Sequence, residues 1–440
     1  MPPSFMGGVS LSESVIRIES VEARGNVLTV RHSHEGPVGK VLNDTPLRLV
    51  ADHPLDSIPV GILVTPLLGG LVPLSWVVDT HIVAGDVDAT YLQSLAEVRG
   101  VMEKSYPSMK FHGSLEARPV ETHSTWDPDR YCLLYSGGVD STTSYVRNRD
   151  KKPVLLMVKG TPDVRLSETE YWKRTMDRIP PALRAIDAEL HIIETNSLDI
   201  INERALRWQV HSEEISGWWE NFAHGLFLLS TTAPYTYFSH SGKLLIASSY
   251  TPATAKPTGS MPESDERIRW GGLRVVHDSF DLSRFEKIHN YLAPFIQSQG
   301  GGFPIKLCLG KEKRLKCGKL NCGICDKCLT TVLMLLENGV DPARCDFDMS
   351  KFSPSRVRRG LANGYIKTAE APNSWRYIVE NAKPLRPELE TEYRGTDEML
   401  VWIAKWDRKP KESSLRSYSR KVAPTGSRRR RLAKKVLRRS

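Results

Sequence analysis

The predicted fold depends on the stretch Tyr131-Cys-Leu-Leu-Tyr-Ser136-Gly-Gly-Val-Asp140-Ser141-Thr-Thr-Ser144. A short apolar run that stops at two glycines is typical of a buried strand that enters a tight turn. The acid and the hydroxyl residues that follow favour the first turn of a helix. Glycines allow the backbone to approach a ligand closely, and the amino end of a helix favours an anion. The stretch therefore predicts a strand, an anion-binding loop and a helix.

The same strand-then-helix pattern continues after this loop. Further strands are predicted at Pro153–Val158, Leu190–Glu194 and Lys243–Ser248. A helix should open near Ser167, which has capping-box spacing to Glu170, and Pro180-Pro181 should break or restart it. Alternation of this kind predicts an α/β fold with a doubly wound parallel sheet. Ligands bind such sheets beyond the carboxyl ends of the strands.

The loop differs from the better-known phosphate loop, which needs G-x-x-x-x-G-K-[ST] and its lysine. Ser136-Gly-Gly-Val-Asp-Ser141 instead resembles the pyrophosphate-binding loop of the ATP pyrophosphatase superfamily. That resemblance implies an adenine nucleotide alpha hydrolase-like fold and an enzyme that splits ATP, with Mg²⁺, between its α and β phosphates. The ATP-binding residues predicted at this edge of the sheet are Ser136, Gly137, Gly138, Val139, Asp140, Ser141, Thr142, Val158 and Lys159.

Asp140 and Ser141 are the predicted catalytic residues. Asp140 is expected to orient the loop or to bind magnesium rather than to act as a general base. Four further residues are candidates for contact with substrate or phosphate, namely Ser248, Lys256, Arg284 and Lys287. The two cations on the predicted helix near residue 284 either form a solvated face or meet phosphates or an acidic substrate.

A cysteine cluster follows in the chain. Cys322-Gly-Ile-Cys325-Asp-Lys-Cys328 contains two consecutive C-x-x-C steps, and an upstream cysteine can complete a tetrahedron. Four thiolates are the ligands of a structural zinc site without an open position. The fourth ligand is predicted to be Cys308, because a strand-like segment precedes it, with Cys317 as the alternative.

The loop and the cysteines together resemble the 7-cyano-7-deazaguanine synthase (QueC-like) branch, over residues 130–335. The resemblance implies that ATP adenylates a carboxylate on a deazapurine, and that amide or nitrile formation or conjugation follows. The chain is longer than those synthases and resembles the long forms of bacterial modification and antiphage defence systems. The acceptor can thus be a small deazapurine-like molecule or a macromolecule.

Four segments are predicted: an N-terminal α+β accessory domain at 1–125, the ATP-binding domain with its four-cysteine zinc site at 126–345, a helical extension at 346–407 and a disordered basic tail at 408–440. The tail holds 14 of the 61 Lys and Arg residues and one acid, so the remainder, 47 basic against 50 acidic residues, carries a charge of −3. The composition of the tail is typical either of a solubilising extension or of a segment attracted to nucleic acid, and the accessory domain is predicted to recognise a protein partner or the substrate.

Ile58–Val78 lacks charges, but prolines and glycines interrupt it, so a buried helix and turn are predicted instead of a membrane span. The absence of a signal peptide and the clustered cysteines predict a cytoplasmic protein. Two other functions remain open: an RNA thiolase that uses the same loop, with Cys317 or Cys345 as the reactive thiol, and a non-catalytic, ATP-binding zinc subunit of a larger assembly.

Overall fold

The structure is a computed structural model, and it describes residues 14–122, 125–209, 217–308, 316–362, 375, 378, 380 and 382–405. The predicted basic tail at 408–440 lies outside these residues. The chain divides into two compact units, Met1–Lys287 and Ile288–Ser440.

The first unit is built on one ten-stranded sheet. In chain order its strands are β1 (Val15–Arg24), β2 (Val27–Glu35), β3 (Leu47–Val50), β4 (His81–Asp88), β5 (Ser114–Val120), β6 (Asp127–Leu134), β7 (Val154–Lys159), β8 (Leu190–Thr195), β9 (Ser241–Ala247) and β10 (Arg274–Asp278). Across the sheet the order is β10-β9-β6-β7-β8-β3-β2-β1-β4-β5. The predicted α/β fold with a largely parallel sheet is therefore confirmed.

The strands from β6 to β10 run parallel to one another, so their carboxyl ends share one edge of the sheet. The chain moves from β6 to β7 and β8 in one direction and then returns to place β9 on the other side of β6. The strand order thus reverses between β6 and β9. The loops after these two strands, at Ser136 and at Ser248, flank this point of reversal.

The N-terminal strands belong to the same sheet. β1 and β2 form a hairpin around Gly25 and Asn26, and β3 pairs with β8 through Leu49 and Thr195. One hydrophobic core includes Ile16 from β1 and Leu244 from β9. The predicted boundary near residue 125 therefore does not coincide with a division between the two compact units.

An ionic cluster joins β8 to the segment after β3. His191 Nδ1 lies 2.8 Å from Asp52 Oδ1, and its Nε2 lies 2.8 Å from Glu189 Oε1. Burial alone would raise the pKa of Asp52, but hydrogen bonds from His191, His53 and the Ile192 amide lower it well below its usual range. Burial alone would lower the pKa of His191, whereas its bonds to the two carboxylates raise it.

The helices of the first unit are α1 (Val60–Leu63), α2 (Thr65–Val78), α3 (Ala89–Ser105), α4 (Val139–Asn148), α5 (Thr169–Arg184), α6 (Ser197–Ile200), α7 (Glu203–Gln209), α8 (His224–Thr231), α9 (Ala233–Phe238), α10 (Pro262–Asp265) and α11 (Arg284–Glu286). Those of the second unit are α12 (Ala293–Ser298), α13 (Asp326–Glu337), α14 (Pro354–Ala362), α15 (Pro387–Glu392) and α16 (Thr396–Lys405). π-Helical turns cover Trp219–Ala223 and Lys287–Leu292. Short 3-10 helices cover Gly36–Lys40, Arg149–Lys151, Pro342–Cys345 and Met349–Lys351.

Two segments that contain prolines were predicted from sequence, and the structure agrees with the prediction for one of them only. The apolar stretch before residue 78 forms the buried helices α1 and α2, as predicted. Within the described ranges, every helix is too short or too polar to span a membrane. The predicted break of α5 at Pro180-Pro181 is wrong, because the helix continues to Arg184. Pro181 lies on the exposed face of α5, where water can bond the carbonyl that lacks an amide partner.

Beyond residue 346, the described part of the second unit contains the helices α14, α15 and α16. In α16, Met399, Leu400 and Ile403 are buried, and the helix packs against α14. The cysteine cluster of the second unit lies on α13 and on the irregular stretches before it.

Candidate functional site

The glycine loop has the predicted strand, turn and helix. β6 ends at Leu134, Gly137 adopts a left-handed φ of +78°, and α4 begins at Val139. The first intrahelical hydrogen bond runs from the Thr142 amide to the Gly138 carbonyl over 3.0 Å, so the amides of the preceding turn have no acceptor within the helix. Ser136 is exposed. The loop can therefore present backbone donors to an anion.

Two hydroxyls fix the shape of the loop. The Ser136 amide donates to Ser141 Oγ over 3.2 Å, and the two Oγ atoms also lie 3.2 Å apart. The Gly138 amide donates to Ser136 Oγ over 3.3 Å. The buried Ser141 side chain thus closes the turn from the protein interior, while Ser136 lies on the solvent-exposed side of the turn.

Asp140 is the centre of an ion-pair cluster. Its carboxylate lies 2.9 Å from Lys287 Nζ and 3.1 Å from an Arg284 guanidinium nitrogen. Ser249 Oγ donates to it over 3.3 Å. The Lys287 side chain is 1% exposed and also donates to the Ser248 carbonyl. One carboxylate and two cations leave a net positive charge beside the loop.

A second set of bonds ties α4 to the end of β10 and to the segment that follows it. Ser144 Oγ donates to Asp278 over 2.5 Å, and Arg147 donates to Asp281 over 2.6 Å. The Ser248 amide donates in turn to the Asp278 carbonyl over 2.9 Å. The helix that follows the loop is therefore held in place at the carboxyl edge of the sheet.

Lys159, a predicted ATP-binding residue, is buried and engaged. Its ammonium lies 3.2 Å from Glu194 and 5.3 Å from the ring centroid of Trp172. Val158 is half-buried at the same strand end. Gly160 follows with a φ of +103°, and a Cβ there would lie 1.7 Å from the Thr195 carbonyl oxygen. The close approach of β7 and β8 at this edge requires that glycine.

A cavity of about 460 Å³ opens beside the end of β9. The carboxyl end of α3 forms one wall, and the segment 255–263 forms another. The polar and aromatic residues of its lining include Lys104, Ser248, Tyr250, Lys256, Arg267 and His277. Two of the four predicted substrate residues, Ser248 and Lys256, therefore lie in the cavity, whereas Arg284 and Lys287 pair with Asp140.

One wall of the cavity carries a buried histidine–aspartate pair. His277 Nδ1 lies 2.9 Å from Asp265 Oδ2, and both side chains are buried. Ser260 Oγ donates to the same carboxylate oxygen over 2.6 Å. These bonds fix the orientation of the imidazole at the cavity wall.

The cysteine cluster of the second unit joins the four predicted ligands. The Sγ atoms of Cys308, Cys322, Cys325 and Cys328 all lie within 4.8 Å of one another. The pairs Cys308–Cys325 and Cys322–Cys328 are each 3.9 Å apart, and the edge of a zinc–thiolate tetrahedron is about 3.8 Å. Four soft donors at this spacing fit a metal ion such as zinc. Cys317 instead contacts the Lys319 and Asn321 carbonyls, so the prediction of Cys308 is confirmed.

The four thiols influence one another. Hydrogen bonds from Cys308, Cys325 and Cys328 lower the pKa of Cys322 well below its usual range. The pKa values of Cys325 and Cys328 are raised, first by their interactions with Cys308 and then with Cys322. The protonation of each thiol in the cluster therefore depends on the other three.

Asn321 holds the two halves of the cysteine cluster in register. Its side-chain oxygen accepts from the Leu307 and Cys308 amides over 3.0 and 3.2 Å, and its side-chain nitrogen donates to the Ile305 carbonyl over 2.5 Å. Asn321 is fully buried. Gly323 has a φ of +67°, and a Cβ there would lie 2.0 Å from the Asp348 carbonyl oxygen. The turn through the first C-x-x-C step therefore needs both residues.

No match accompanies these sites. Comparison with the models of protein families, with curated proteins and with solved structures finds none for this chain. What the loop, the cavity and the cysteine cluster can do follows from their own geometry and chemistry.

Several residues at these sites carry little signal in the sequence. Asp278 and Asp265 are single acids in ordinary contexts, and each becomes notable only through its partner, Ser144 or His277. Asn321 is absent from the predicted site residues. Its position immediately before Cys322 was the available signal, since the neighbours of a metal ligand commonly position it.

Proposed function

We propose that this protein is an ATP-dependent enzyme that adenylates a carboxylate and releases pyrophosphate. The observation that carries the proposal is the position of the glycine loop: it lies at the point where the strand order reverses, with a left-handed Gly137 and the start of α4 behind it. Open α/β sheets bind their ligands at this point. Backbone donors and a helix start suit the pyrophosphate part of ATP.

The strand order supports a doubly wound nucleotide-binding core of the adenine nucleotide alpha hydrolase type. When the five strands from β6 to β10 are numbered 1 to 5 by their place in the chain, their order across the sheet is 3-2-1-4-5. Because parallel crossovers are right-handed, connections that run in opposite directions from β6 place their helices on opposite faces. This arrangement agrees with the resemblance of Ser136–Ser141 to the ATP pyrophosphatase loop.

Charge supports cleavage next to AMP. Asp140, Arg284 and Lys287 together place one net positive charge beside the loop. The loop donors and these cations would stabilise the charge that develops on the departing pyrophosphate. Mg²⁺ bound together with the nucleotide would supply further positive charge. The carboxylate oxygen of the acceptor attacks the α-phosphorus, the bond to the bridging oxygen breaks, and an acyl-adenylate forms.

Zinc in this proposal has a structural role. Cys308, Cys322, Cys325 and Cys328 would occupy all four of its positions, so no site remains for water or substrate. Reduced cysteines are required for such a site, which is why we place the protein in the cytoplasm.

The chemistry of the remaining cysteines disfavours the RNA thiolase. Burial raises the pKa of Cys132 to about 11 and that of Cys345 to about 12. Thiols with such pKa values are inert at neutral pH. Cys317 is half-buried, and its thiol contacts two backbone carbonyls. A thiolase would need one of these sulfurs as a thiolate near the nucleotide.

The test is product analysis with ATP and a panel of acceptors: deazapurine carboxylic acids with ammonia, RNA, and protein. AMP and pyrophosphate are expected with at least one acceptor. Ser141→Ala should lower pyrophosphate release about a hundredfold. The Ser136 amide loses its acceptor in this variant, so the backbone amides of the loop are no longer held in the orientation that binds the phosphates.

Ser350→Ala is the matched control, since it removes an exposed serine hydroxyl from the other unit. Products consisting of ADP and orthophosphate would overturn the proposal. ATP binding without any pyrophosphate would favour the non-catalytic subunit.

A further inference from the structure

His277 lies at the carboxyl end of β10, at the same edge of the sheet as the glycine loop. Its neighbour Asp278 accepts a hydrogen bond from Ser144 of α4, the helix that begins at that loop. Because adjacent residues of a strand face opposite sides of a sheet, the His277 side chain faces away from α4, and it lines the cavity beside β9. The imidazole therefore lies at the edge where sheets of this kind bind their ligands.

The two ring nitrogens of His277 have different surroundings. Nδ1 lies 2.9 Å from Asp265 Oδ2, and the Asp265 side chain has no exposed surface. Ser260 Oγ donates to the same oxygen over 2.6 Å, and Ser264 Oγ donates to Asp265 Oδ1 over 3.4 Å. A carboxylate that accepts a hydrogen bond from Nδ1 fixes the neutral tautomer in which Nε2 carries the free lone pair.

Nε2 of His277 opens on the cavity. Among the residues that the structure describes, this nitrogen has no hydrogen-bond partner, and it is not one of their fully buried polar atoms. It therefore keeps accessible surface, although the His277 side chain as a whole is only 3% exposed. An imidazole that is held through Nδ1 by a buried carboxylate and is open at Nε2 has the arrangement of a general base.

The charge of the cavity limits the form in which a nucleophile can enter it. Three cations, Lys104, Lys256 and Arg267, line the cavity together with one acid, Glu263, which gives these side chains a net charge of +2. Such a lining repels an ammonium ion, so an amine reacts there in its neutral form. The nitrogen of a neutral amine becomes acidic as it bonds to a carbonyl carbon, and its proton then needs an acceptor within reach.

We propose that His277 is the general base of the step that consumes the acyl-adenylate. This inference rests on the proposed function, which supplies that intermediate. The amine nitrogen attacks the acyl carbon, the bond from this carbon to the phosphate oxygen breaks, and AMP leaves with the electron pair. The proton of the amine passes to Nε2 of His277 and then to water. Asp265 is a positioning residue in this step, because it acts through the imidazole.

The experiment measures the two half-reactions separately, with a deazapurine carboxylic acid and ammonia from the product panel. Exchange of labelled pyrophosphate into ATP reports adenylation, and amide formation reports the second step. His277→Gln should lower amide formation about a hundredfold, the low end of the roughly 10²–10⁴-fold contribution of a general base, and should change exchange by less than about threefold. Retained exchange also shows that the variant is folded.

A second variant and a second nucleophile separate a missing base from a distorted site. Asp265→Asn should also lower amide formation more than exchange, because an asparagine amide can donate to Nδ1 and so favours the other tautomer. Hydroxylamine is a stronger nucleophile than ammonia and is largely uncharged at neutral pH, so it depends less on a base. With hydroxylamine the deficit of His277→Gln should shrink to about tenfold or less. Equal deficits with both nucleophiles would overturn the inference.

His191→Gln is the matched control, since His191 forms a histidine–aspartate pair of similar length, 2.8 Å, near the amino end of β8. It should leave the ratio of amide formation to exchange unchanged, and a selective loss of amide formation in this variant would count against the inference. Undiminished amide formation in His277→Gln, or an equal loss of both half-reactions, would overturn the inference while the proposed function stands. Wild-type protein that shows no exchange with any acid would instead overturn the proposed function and the inference together.

Discussion

Replacing Asp140 by asparagine should destabilise the glycine loop more than any other single change in its ion-pair cluster. The Lys287 side chain is 1% exposed, and its ammonium lies 2.9 Å from the Asp140 carboxylate. At an effective dielectric constant of about 20, charges at this distance attract by about 6 kcal/mol. Removal of one partner from a buried pair costs about 3–5 kcal/mol, since the other charge stays buried. Asp140 is 19% exposed, so we expect the lower end, about 3 kcal/mol.

Hydrogen exchange of peptides from β6 and α4 is the assay, because it reports local opening of the first unit alone. Asp140→Asn should speed exchange about a hundredfold, which corresponds to about 3 kcal/mol. The double variant Asp140→Asn/Lys287→Met should exchange more slowly than Asp140→Asn. Lys287→Met removes the buried ammonium that Asp140→Asn leaves without a carboxylate partner. Arg284→Gln, which leaves the Asp140–Lys287 pair intact, should cost about 1 kcal/mol. Equal exchange in Asp140→Asn and in the double variant would refute the reasoning.

Three further predictions concern the metal site and pH. Cys308→Ser should abolish stoichiometric zinc, and Cys317→Ser should retain it, as measured by mass spectrometry of bound metal; equal retention would contradict the assignment. Asn321→Ala should weaken zinc binding about 10–100-fold in competition with a chromophoric chelator, and an unchanged affinity would show that its bonds to the cysteine segment are dispensable. The lowered pKa of Asp52 means that its carboxylate stabilises the folded protein at pH values above its unfolded pKa of about 3.9. The raised pKa of His191 means that its imidazolium stabilises the folded protein at pH values below its unfolded pKa of about 6.5. Asp52→Asn should therefore cost about 1 kcal/mol more at about pH 5.5 than at about pH 9 in urea unfolding, and a loss independent of pH would exclude the pair as its cause.

The strands and the loop could be predicted because their signals are local. An apolar run that ends at glycines marks β6, and similar runs mark β7, β8 and β9. The pairing of those strands is not local. β6 lies beside β9, more than a hundred residues further along the chain, and no periodic pattern encodes such a neighbour. The sequence also does not predict that β3 joins the N-terminal strands to β8, because this pairing is non-local. In addition, β3 has only four residues, which is too short to give a clear strand pattern.

The residues of the candidate sites also separate into those that local sequence predicts and those whose contacts depend on the tertiary fold. Cys308 was predicted correctly because a strand-like segment fixes it before the C-x-x-C steps. The sequence predicts Arg284 and Lys287 as candidate cations and Asp140 as a catalytic residue, but it does not predict the ion pairs that join them. An ion pair across such a distance in sequence depends on how the tertiary fold brings Arg284 and Lys287 to the start of α4, which sequence patterns do not contain. α5 shows the opposite case, because Pro180-Pro181 predicts a local break whereas the helix continues to Arg184.

The pairing of β3 with β8 has a consequence for synthesis on the ribosome. β3 forms its outer hydrogen bonds with Glu194 and Thr195, which leave the ribosome about 145 residues after Leu49 and Val50. At about 5–20 residues per second, the N-terminal hairpin waits for roughly 7–30 s with an open edge. An unpaired edge strand is a template for another chain. Nascent chains of this protein should thus depend on holding chaperones during that interval.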